Sequence, residues 1–391
     1  MTMFFISGAR VVTPGRDLGV VAVRVEAGRI VAVGEDVQPA AGDRVIDASG
    51  LTLLPGFVDI HSHGRSGADF CDATDEAFAR IGIGKLADGV TSFLATGLTR
   101  PEEELAEMCR CTERYKAKGE GATCLGVHLE GPFFNGDMAG AQNPAYLKNP
   151  DSQFVKRLNA ISQVKKVSLA PELEGAEDCI KELVAEGIVV SGGHSSADYA
   201  TFERARASGM THLTHFCNAM MPIHHLRPTM VTGGLLADDV YVEIITDGVH
   251  LSDPMIALIA KAKGPDRLMV ITDAMCAAGE PDGIYSLGGL RVRVEKGRAT
   301  LADVPYDPKA VVSNVAGSVA LYPDCFRRFV RVTGWPLEEC VKATGFNQCR
   351  SMGIADRGEI AVGQVADMVL VDDDFVPLKT IVGGVVKFEK E

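Results

Sequence analysis

The chain has 391 residues, of which 46% are hydrophobic, which is enough for one large α/β domain and a smaller second domain. Its formal net charge of −13 argues against nucleic acid or an anionic membrane as the main partner. The ten cysteines include no CxxC pair, and no apolar run reaches the length of a membrane span. We therefore expect a reduced, cytoplasmic protein without a transmembrane segment.

The two ends of the chain have the same character. Residues 1–54 and 355–391 both consist of short apolar strands that are separated by glycine turns. Neither end has enough residues to bury a core alone. The sequence therefore predicts one small β-sandwich domain formed from both termini, around a larger domain at 55–354.

The middle of the chain alternates strand-like and helix-like segments, which predicts parallel strands with helical crossovers. The strand-like segments are LLPGFVDIHSH, GVTSFLAT, TCLGVHLEG, VSLAPE, IVVSGGHS, THLTHF, YVEIITDGVH and RLMVITDAM. The predicted helices lie at 75–88, 101–118, 151–164, 176–186, 197–208 and 253–263, with the least helical pattern at 226–239. A hairpin-like insertion follows the eighth strand, before closing helices near 316–333 and 336–352. Eight β/α units over about 220 residues predict a (β/α)8 TIM-like barrel.

Histidines and carboxylates fall where the predicted strands end. His61 and His63 follow the first strand at alternate positions, so they point the same way. The other polar strand ends are Glu130, His194, His215, Asp247 with His250, and Asp273. Because a TIM barrel brings the carboxyl ends of its strands to one face, we expect these side chains to converge.

This set of residues predicts a metal centre. Imidazole and carboxylate ligands without thiolates suit Zn²⁺, our first expectation, and also Fe²⁺ or Mn²⁺. Glu130 can bridge two ions, one held by His61 and His63 and the other by His194 and His215. One or two ions therefore fit the sequence. Asp273, a further candidate ligand, is the natural base: it can take the proton of a metal-activated water and return it to a leaving group. This chemistry is hydrolysis of an amide or a related bond.

The other histidines have structural interpretations. His128, two residues before Glu130, is predicted to pack one layer below the metal centre. His212 is expected to face away from His215 on the strand. His224 and His225 lie in a segment that is predicted to be a solvated loop.

The motifs of the chain resemble, nearly from end to end, those of the amidohydrolase superfamily and, within it, the N-acetylglucosamine-6-phosphate deacetylase family. The shared segments are LPGFVDIHSHG, GVHLEGPF, SGGHS, THLTHFCNAM, DGVH, ITDAMCAAGEPDGIYSLGG and NVAGSVALYPDC. HLEGP and TDAM are highly specific, whereas HxH occurs throughout the superfamily. The resemblance implies removal of the acetyl group from N-acetylglucosamine 6-phosphate, giving glucosamine 6-phosphate and acetate.

The resemblance also implies roles for single residues. The residues that correspond to the main metal ligands are Glu130, His194 and His215. His61 and His63 match the members that hold a second metal, and Asp273 corresponds to the general base and acid. Members of the family usually form dimers with the substrate site close to the interface, so we expect a homodimer that acts on a small-molecule amino sugar.

The sequence matches the family's substrate contacts less completely than it matches the family's metal ligands. Asn218 and Ala219 would contact the phosphate, His250 the sugar, and the segment 316–318 would lie near the acyl group. Gln142, however, stands where the family typically has a substrate-binding histidine, and glutamine can hydrogen-bond but cannot carry charge.

A second departure concerns the phosphate. Leu226 takes the position of a phosphate-binding arginine, and Arg227 is displaced by one residue. A shift of the loop by one residue would bring Arg227 to the phosphate. Loss of this contact would favour a different N-acyl amino sugar, phosphorylated or not, as the substrate.

Two further interpretations fit the sequence less well. Cyclic-amide hydrolases of the superfamily commonly use a carboxylated lysine from strand four, but Lys165 and Lys166 lie at the start of that strand here. A non-catalytic scaffold would have no reason to retain the complete ligand set together with Asp273.

Overall fold

The computed structural model describes residues 3–307 and 314–390. Its first ten strands are β1 (Met3–Ser7), β2 (Arg10–Thr13), β3 (Arg16–Val20), β4 (Ala22–Glu26), β5 (Arg29–Gly34), β6 (Arg44–Asp47), β7 (Thr52–Pro55), β8 (Phe57–Asp59), β9 (Gly64–Arg65) and β10 (Ala68–Asp69). The later strands are β11 (Val90–Gly97), β12 (Thr123–Glu130), β13 (Val164–Leu169), β14 (Val189–Gly192), β15 (His212–Leu213), β16 (Tyr241–Ile245), β17 (Leu268–Ile271), β18 (Gly283–Leu287), β19 (Leu290–Glu295), β20 (Arg298–Leu301), β21 (Met368–Val371), β22 (Pro377–Val382) and β23 (Val385–Glu389).

The α-helices of the described residues are α1 (Asp75–Ala87), α2 (Glu102–Lys118), α3 (Ser152–Asn159), α4 (Ala176–Ala185), α5 (Tyr199–Ala207), α6 (Met230–Leu236), α7 (Asp253–Lys263), α8 (Tyr322–Thr333), α9 (Leu337–Cys340) and α10 (Phe346–Ser351). Short 3-10 helices lie at Phe70–Asp72, Gly136–Met138, Pro144–Tyr146 and Val341–Thr344. Within the described ranges, no helix combines the length and the apolar character that crossing a bilayer requires.

Eight parallel strands form the central sheet, each beside its neighbour in the chain: β8, β11, β12, β13, β14, β15, β16 and β17. Helices α1 to α7 lie in the connections between these strands, so every strand runs in the same direction. The two ends of the sheet approach each other where Asp273 N donates to His61 O at 2.9 Å. The carboxyl ends of all eight strands therefore meet at one face, as in a TIM barrel.

Strands from both termini form two further sheets, in the orders β5-β4-β1-β6 and β23-β22-β21-β7-β2-β3. In the second sheet, β7 pairs antiparallel with β21, which joins the two ends of the chain. Buried side chains of both sheets, including Val23, Leu53 and Met368, form a core separate from that of the barrel. The predicted α/β fold class, a TIM-like barrel with a small β-sandwich domain, is confirmed. The domain boundaries at 1–54 and 355–391 stay a prediction.

Two predicted helices are shorter than expected. The segment 151–164 is helical only in α3, because Val164 already begins β13 and its N–H donates to Asn159 Oδ1 at 2.9 Å. The segment 316–333 is helical only from Tyr322, since Ser318 pairs with the barrel through a hydrogen bond from its N–H to Asp273 O at 2.7 Å.

The last predicted helix, 336–352, is divided into α9, a 3-10 turn and α10. The division falls at Gly345, whose φ of −172° is extended rather than helical. The segment 226–239, which has the least helical pattern in the sequence, contains α6. The predicted insertion after the eighth strand is the antiparallel sheet β18-β19-β20.

The first barrel strand is held from below by an aromatic cluster. Phe57 is fully buried, and its ring centroid lies 4.9 Å from that of Tyr322 and 5.3 Å from that of Phe326, both on α8. The Tyr322 hydroxyl donates to Val270 O at 2.9 Å, so the helix is also fixed to β17. This cluster joins the first and last strands of the barrel to the helix that follows it.

Phe57→Ala is expected to lower the free energy of unfolding by about 3–5 kcal/mol, because it removes a buried ring and leaves a cavity between β8 and α8. Urea denaturation followed by circular dichroism measures the change. The control is Val362→Ala, at a side chain that is 65% exposed, where about 0.5 kcal/mol or less is expected. Equal effects of the two substitutions would contradict this account of the cluster.

Candidate metal centre

The six predicted ligands lie together at the carboxyl face of the barrel, in two groups. The first group is His61, His63 and Asp273, and the second is Glu130, His194 and His215. Within each group the ligand atoms all lie within 4.8 Å of one another, and all six residues are buried. The strand-end pattern in the sequence thus corresponds to one cluster in space.

Glu130 lies between the two groups. Its Oε1 is 3.0 Å from His215 Nε2 and 3.3 Å from both His194 Nε2 and His61 Nε2. Its Oε2 is 3.2 Å from His63 Nε2. A carboxylate in this position can give one oxygen to each of two ions, which is the bridging arrangement that the sequence suggested.

Asp273 faces the first group. Its Oδ1 lies 3.1 Å from His63 Nε2 and 3.4 Å from His61 Nε2. The same residue lines the cavity above the centre, so its carboxylate is accessible to a small molecule. Asp273 is therefore placed both to hold an ion and to exchange a proton with a group in the cavity.

The backbone at these strand ends is strained. His194, His215 and Asp273 have φ angles of 47°, 28° and 51°, in the left-handed region that residues with a Cβ rarely adopt. At Asp273 the strain is held by two hydrogen bonds, from its own N–H to His61 O and to its carbonyl from Ser318 N–H. Such conformations persist where the surrounding structure fixes them, and they are typical of functional sites.

The cluster has the electrostatics of a cation site. Burial lowers the pKa of His61, but the Glu130 and Asp273 carboxylates outweigh this effect and raise the pKa to about 9. Burial raises the pKa of Glu130, yet His61 and the hydrogen bonds from the other histidines hold it well below its usual range. The carboxylates are thus ionised, and the site favours positive charge between them.

The donor set fits a divalent metal. His61 Nε2 is buried and has no hydrogen-bond partner, although carboxylate oxygens lie close to it. A buried polar atom without a partner needs an explanation, and an ion between the imidazole and the carboxylates provides one. Nitrogen and oxygen donors without a thiolate fit Zn²⁺, Fe²⁺ and Mn²⁺.

Two of the ligand histidines are oriented from behind through their Nδ1 atoms. His194 Nδ1 lies 2.9 Å from Met138 O, and His61 Nδ1 lies 3.0 Å from Glu243 Oε2. Both contacts leave Nε2 directed at the centre. Glu243 is not among the residues predicted from the sequence, although a single acidic residue within the apolar strand YVEII is a signal of a buried, paired charge.

The remaining histidines lie outside the ligand set. His128 is buried beneath the centre, with Nε2 2.8 Å from Ser168 Oγ, and His212 stacks on Tyr241. His250 lies in the cavity wall, and its Nδ1 is 2.8 Å from Asp247 Oδ2. Asp247 therefore orients His250 and does not belong to either ligand group.

A cavity of about 120 Å³ opens above the centre. Four predicted substrate contacts line it: Gln142, Asn218, Ala219 and His250. Gly317 of the segment 316–318 lines it as well. No lysine or arginine of the described chain lines this cavity.

Gln142 is fixed onto the metal centre. Its Nε2 donates to Glu130 Oε2 at 2.5 Å, and its Oε1 accepts from Thr99 N at 2.8 Å. The side chain is therefore positioned by the Glu130 carboxylate rather than free in the cavity.

Arg227 is not brought to this cavity. It is exposed in the loop before α6, with Nη2 3.4 Å from His224 Nε2. His224 Nδ1 accepts hydrogen bonds from the backbone N–H groups of Leu226 and Arg227, which fixes this turn of the loop away from the centre. The expected arginine contact would require a movement of the loop.

Glu130→Gln is expected to weaken the binding of every ion, since Glu130 alone reaches the histidines of both groups. Residues that only hydrogen-bond to the metal ligands typically contribute about 10–100-fold to metal affinity. Loss of a ligand that both groups share should therefore lower the affinity by more than about 100-fold. Metal per chain, measured by plasma mass spectrometry in chelator-buffered zinc, tests this expectation. Glu182→Gln, on the surface of α4, is the matched control, and unchanged binding in Glu130→Gln would contradict the assignment.

Comparison with known proteins agrees with this geometry. The model of the amidohydrolase family matches residues 52–387. The chain is 33% identical over 365 residues to the N-acetylglucosamine-6-phosphate deacetylase of Lysinibacillus sphaericus, over 93% of this chain and 92% of that one. It is 36% identical over 344 residues to the N-acetylglucosamine-6-phosphate deacetylase of Bacillus subtilis (strain 168), over 86% and 84% of the two chains.

Solved structures are similar over the whole chain. A mutant N-acetyl-D-glucosamine-6-phosphate deacetylase from Mycobacterium smegmatis, in complex with N-acetyl-D-glucosamine-6-phosphate, gives a TM-score of 0.91 at 32% identity, over 99% of this chain and 100% of that one. The N-acetylglucosamine-6-phosphate deacetylase of Thermotoga maritima gives 0.88 at 33% identity, with the same coverage.

Proposed function

The chain belongs to the amidohydrolase family and, within it, to the N-acetylglucosamine-6-phosphate deacetylases, and on this premise we propose that it removes the acetyl group of N-acetylglucosamine 6-phosphate to give glucosamine 6-phosphate and acetate. The observation that carries the proposal is the position of Asp273, which faces both the ligand histidines and the cavity. A hydrolytic metal site needs these two contacts at once.

The proposed cofactor is a divalent metal, with Zn²⁺ as the first candidate and Fe²⁺ or Mn²⁺ as the others. The amidohydrolase family is metal-dependent. Glu130, His194 and His215 would hold one ion, and His61, His63 and Asp273, with the second oxygen of Glu130, would hold another. A metal in such a centre lowers the pKa of water and polarises a carbonyl oxygen.

The residues of the chain supply the proton transfers and the orientation of the substrate. Asp273 takes the proton of the attacking water and delivers it to the sugar nitrogen, so that the C–N bond breaks and an amine leaves. His250, oriented by Asp247, would contact the sugar, and Asn218 with Ala219 would contact the phosphate.

A second candidate substrate is a different N-acyl amino sugar, phosphorylated or not. Three observations favour it: the described cavity wall carries no lysine or arginine, Arg227 is exposed outside it, and Gln142 is engaged with Glu130. A phosphate in this cavity would depend on neutral donors, unless the loop that carries Arg227 moves toward it. The homodimer and the cytoplasmic location expected from the sequence are also proposals.

Asp273→Asn is expected to reduce kcat by about 10³-fold or more, because an amide can neither take nor return the proton. The ion held by Glu130, His194 and His215 should remain, so a metal assay separates loss of chemistry from loss of the centre. Acetate release measures the rate, and Asp324→Asn on the surface of α8 is the control. Activity near that of the wild type would show that another group acts as the base.

Amine release from N-acetylglucosamine 6-phosphate and from N-acetylglucosamine tests the substrate directly, with the metal-loaded protein. We expect kcat/KM to be at least about 100-fold higher for the phosphate ester, because one or two hydrogen bonds to a charged phosphate contribute a free energy of that size. Equal or reversed preference would support the second candidate. Activity on neither sugar would overturn the first candidate, and the second would then be tested on other N-acyl amino sugars.

A further inference from the structure

A buried pair of charges lies directly behind His61. Glu243, on β16, is fully buried, and its Oε2 accepts from His61 Nδ1 at 3.0 Å. Its other oxygen, Oε1, accepts from Nζ of Lys166, which is fully buried on β13. The pair thus joins the two sides of the barrel to the back of one metal-site histidine.

We propose that Glu243 is a positioning residue for the ion held by His61, His63 and Asp273, and that Lys166 fixes the orientation of its carboxylate. The inference rests on the metal centre of the proposed function and deepens it. It explains why two charges are buried in the barrel, where neither touches the cavity. If Glu243 has this role, the two ion positions differ in the groups that support their histidines.

The position of the proton on the His61 ring determines which ring nitrogen can bind an ion. A neutral imidazole carries one N–H, and a carboxylate can only accept a hydrogen bond. The Glu243 contact therefore keeps the proton on Nδ1 and leaves the lone pair of Nε2 for an ion. The negative charge behind the ring also makes Nε2 a stronger donor.

The other ion position lacks such a carboxylate behind its histidines. His194 Nδ1 lies against a backbone carbonyl, that of Met138, and His215 Nδ1 has no hydrogen-bond partner. Glu243 reaches His215 only through the backbone N–H, at 3.4 Å from Oε2. A change at Glu243 is thus expected to act on the ion of His61 first.

Lys166 determines how a substitution at Glu243 behaves. Its ammonium group only donates, so the amide introduced by Glu243→Gln must turn its oxygen toward Lys166. The amide nitrogen then faces His61 Nδ1 and donates to it. The ring proton moves to Nε2, where it blocks the ion. Glu243→Gln is expected to weaken that ion by about 10–100-fold and to leave the other in place.

The double variant Glu243→Gln, Lys166→Met is the rescue. Without the ammonium group, the amide can turn its oxygen to His61 and accept from Nδ1 again, and no unpaired charge is left buried. Binding of the ion should return to within about tenfold of the wild type. A merely structural role of the pair would predict the opposite, because the double variant removes more of it.

Asp367→Asn is the matched control for loss of a buried, paired carboxylate. Asp367 is 4% exposed, and its Oδ2 accepts from Arg357 at 3.0 Å in the smaller domain. The substitution Asp367→Asn should lower the stability of the protein without any change in metal binding. Glu243→Asp keeps the charge near Lys166 but shortens the reach to His61. If Glu243→Gln does not fold, Glu243→Asp replaces it, and the same weakening of the ion at His61 is expected.

The experiment measures Zn²⁺ per chain over a range of chelator-buffered free zinc, for the wild type and these variants. Two ions in the wild type, loss of one in Glu243→Gln and its return in the double variant are expected. Equal binding by the wild type and Glu243→Gln, or one ion in the wild type, would overturn the inference and leave the proposed function standing. A double variant as weak as the single one would overturn the role of Lys166. A wild type that binds no metal would overturn the proposed function as well.

Discussion

The cost of burying charge governs the interior of this barrel. An ionised carboxylate away from water is tolerated only when it meets cations or hydrogen-bond donors. Three buried carboxylates along the barrel have such partners: Asp59 accepts from Lys85 at 2.8 Å, Glu243 accepts from Lys166, and Glu130 faces the imidazoles. The metal centre is the uppermost of these pairings, and the only one of the three whose residues line the cavity.

The same constraint explains the sharp turns at the strand ends. A regular strand would point alternate side chains to opposite faces, and Glu130 would then meet too few partners. The positive φ angles of His194, His215 and Asp273 break this alternation and turn the side chains inward. The barrel hydrogen bonds at Asp273 and the aromatic cluster beneath β8 supply the rigidity that such conformations need.

Much of the architecture and of the ligand set could be predicted from the sequence. Strand periodicity locates the barrel, and the barrel then places the strand ends together, so His61 and Asp273 can be paired although 212 residues separate them. The link between Glu243 and Lys166 could not be predicted, because it depends on which side chains face each other across the barrel. The position of Arg227 depends on a turn around His224, and Gly345 interrupts a helix whose apolar pattern continues through it.

The pairing of β7 with β21 has a consequence for synthesis of the chain. β7 leads through Gly56 into β8 and so to His61 and His63. It pairs with β2 on one side, but its other partner, β21, begins only at Met368. A ribosome must therefore complete nearly the whole polypeptide before this side of β7 gains its neighbour. Contacts so distant along the chain form late in folding. A chain cut short after the barrel would thus expose one unpaired side of β7, the strand that leads into the first strand of the barrel.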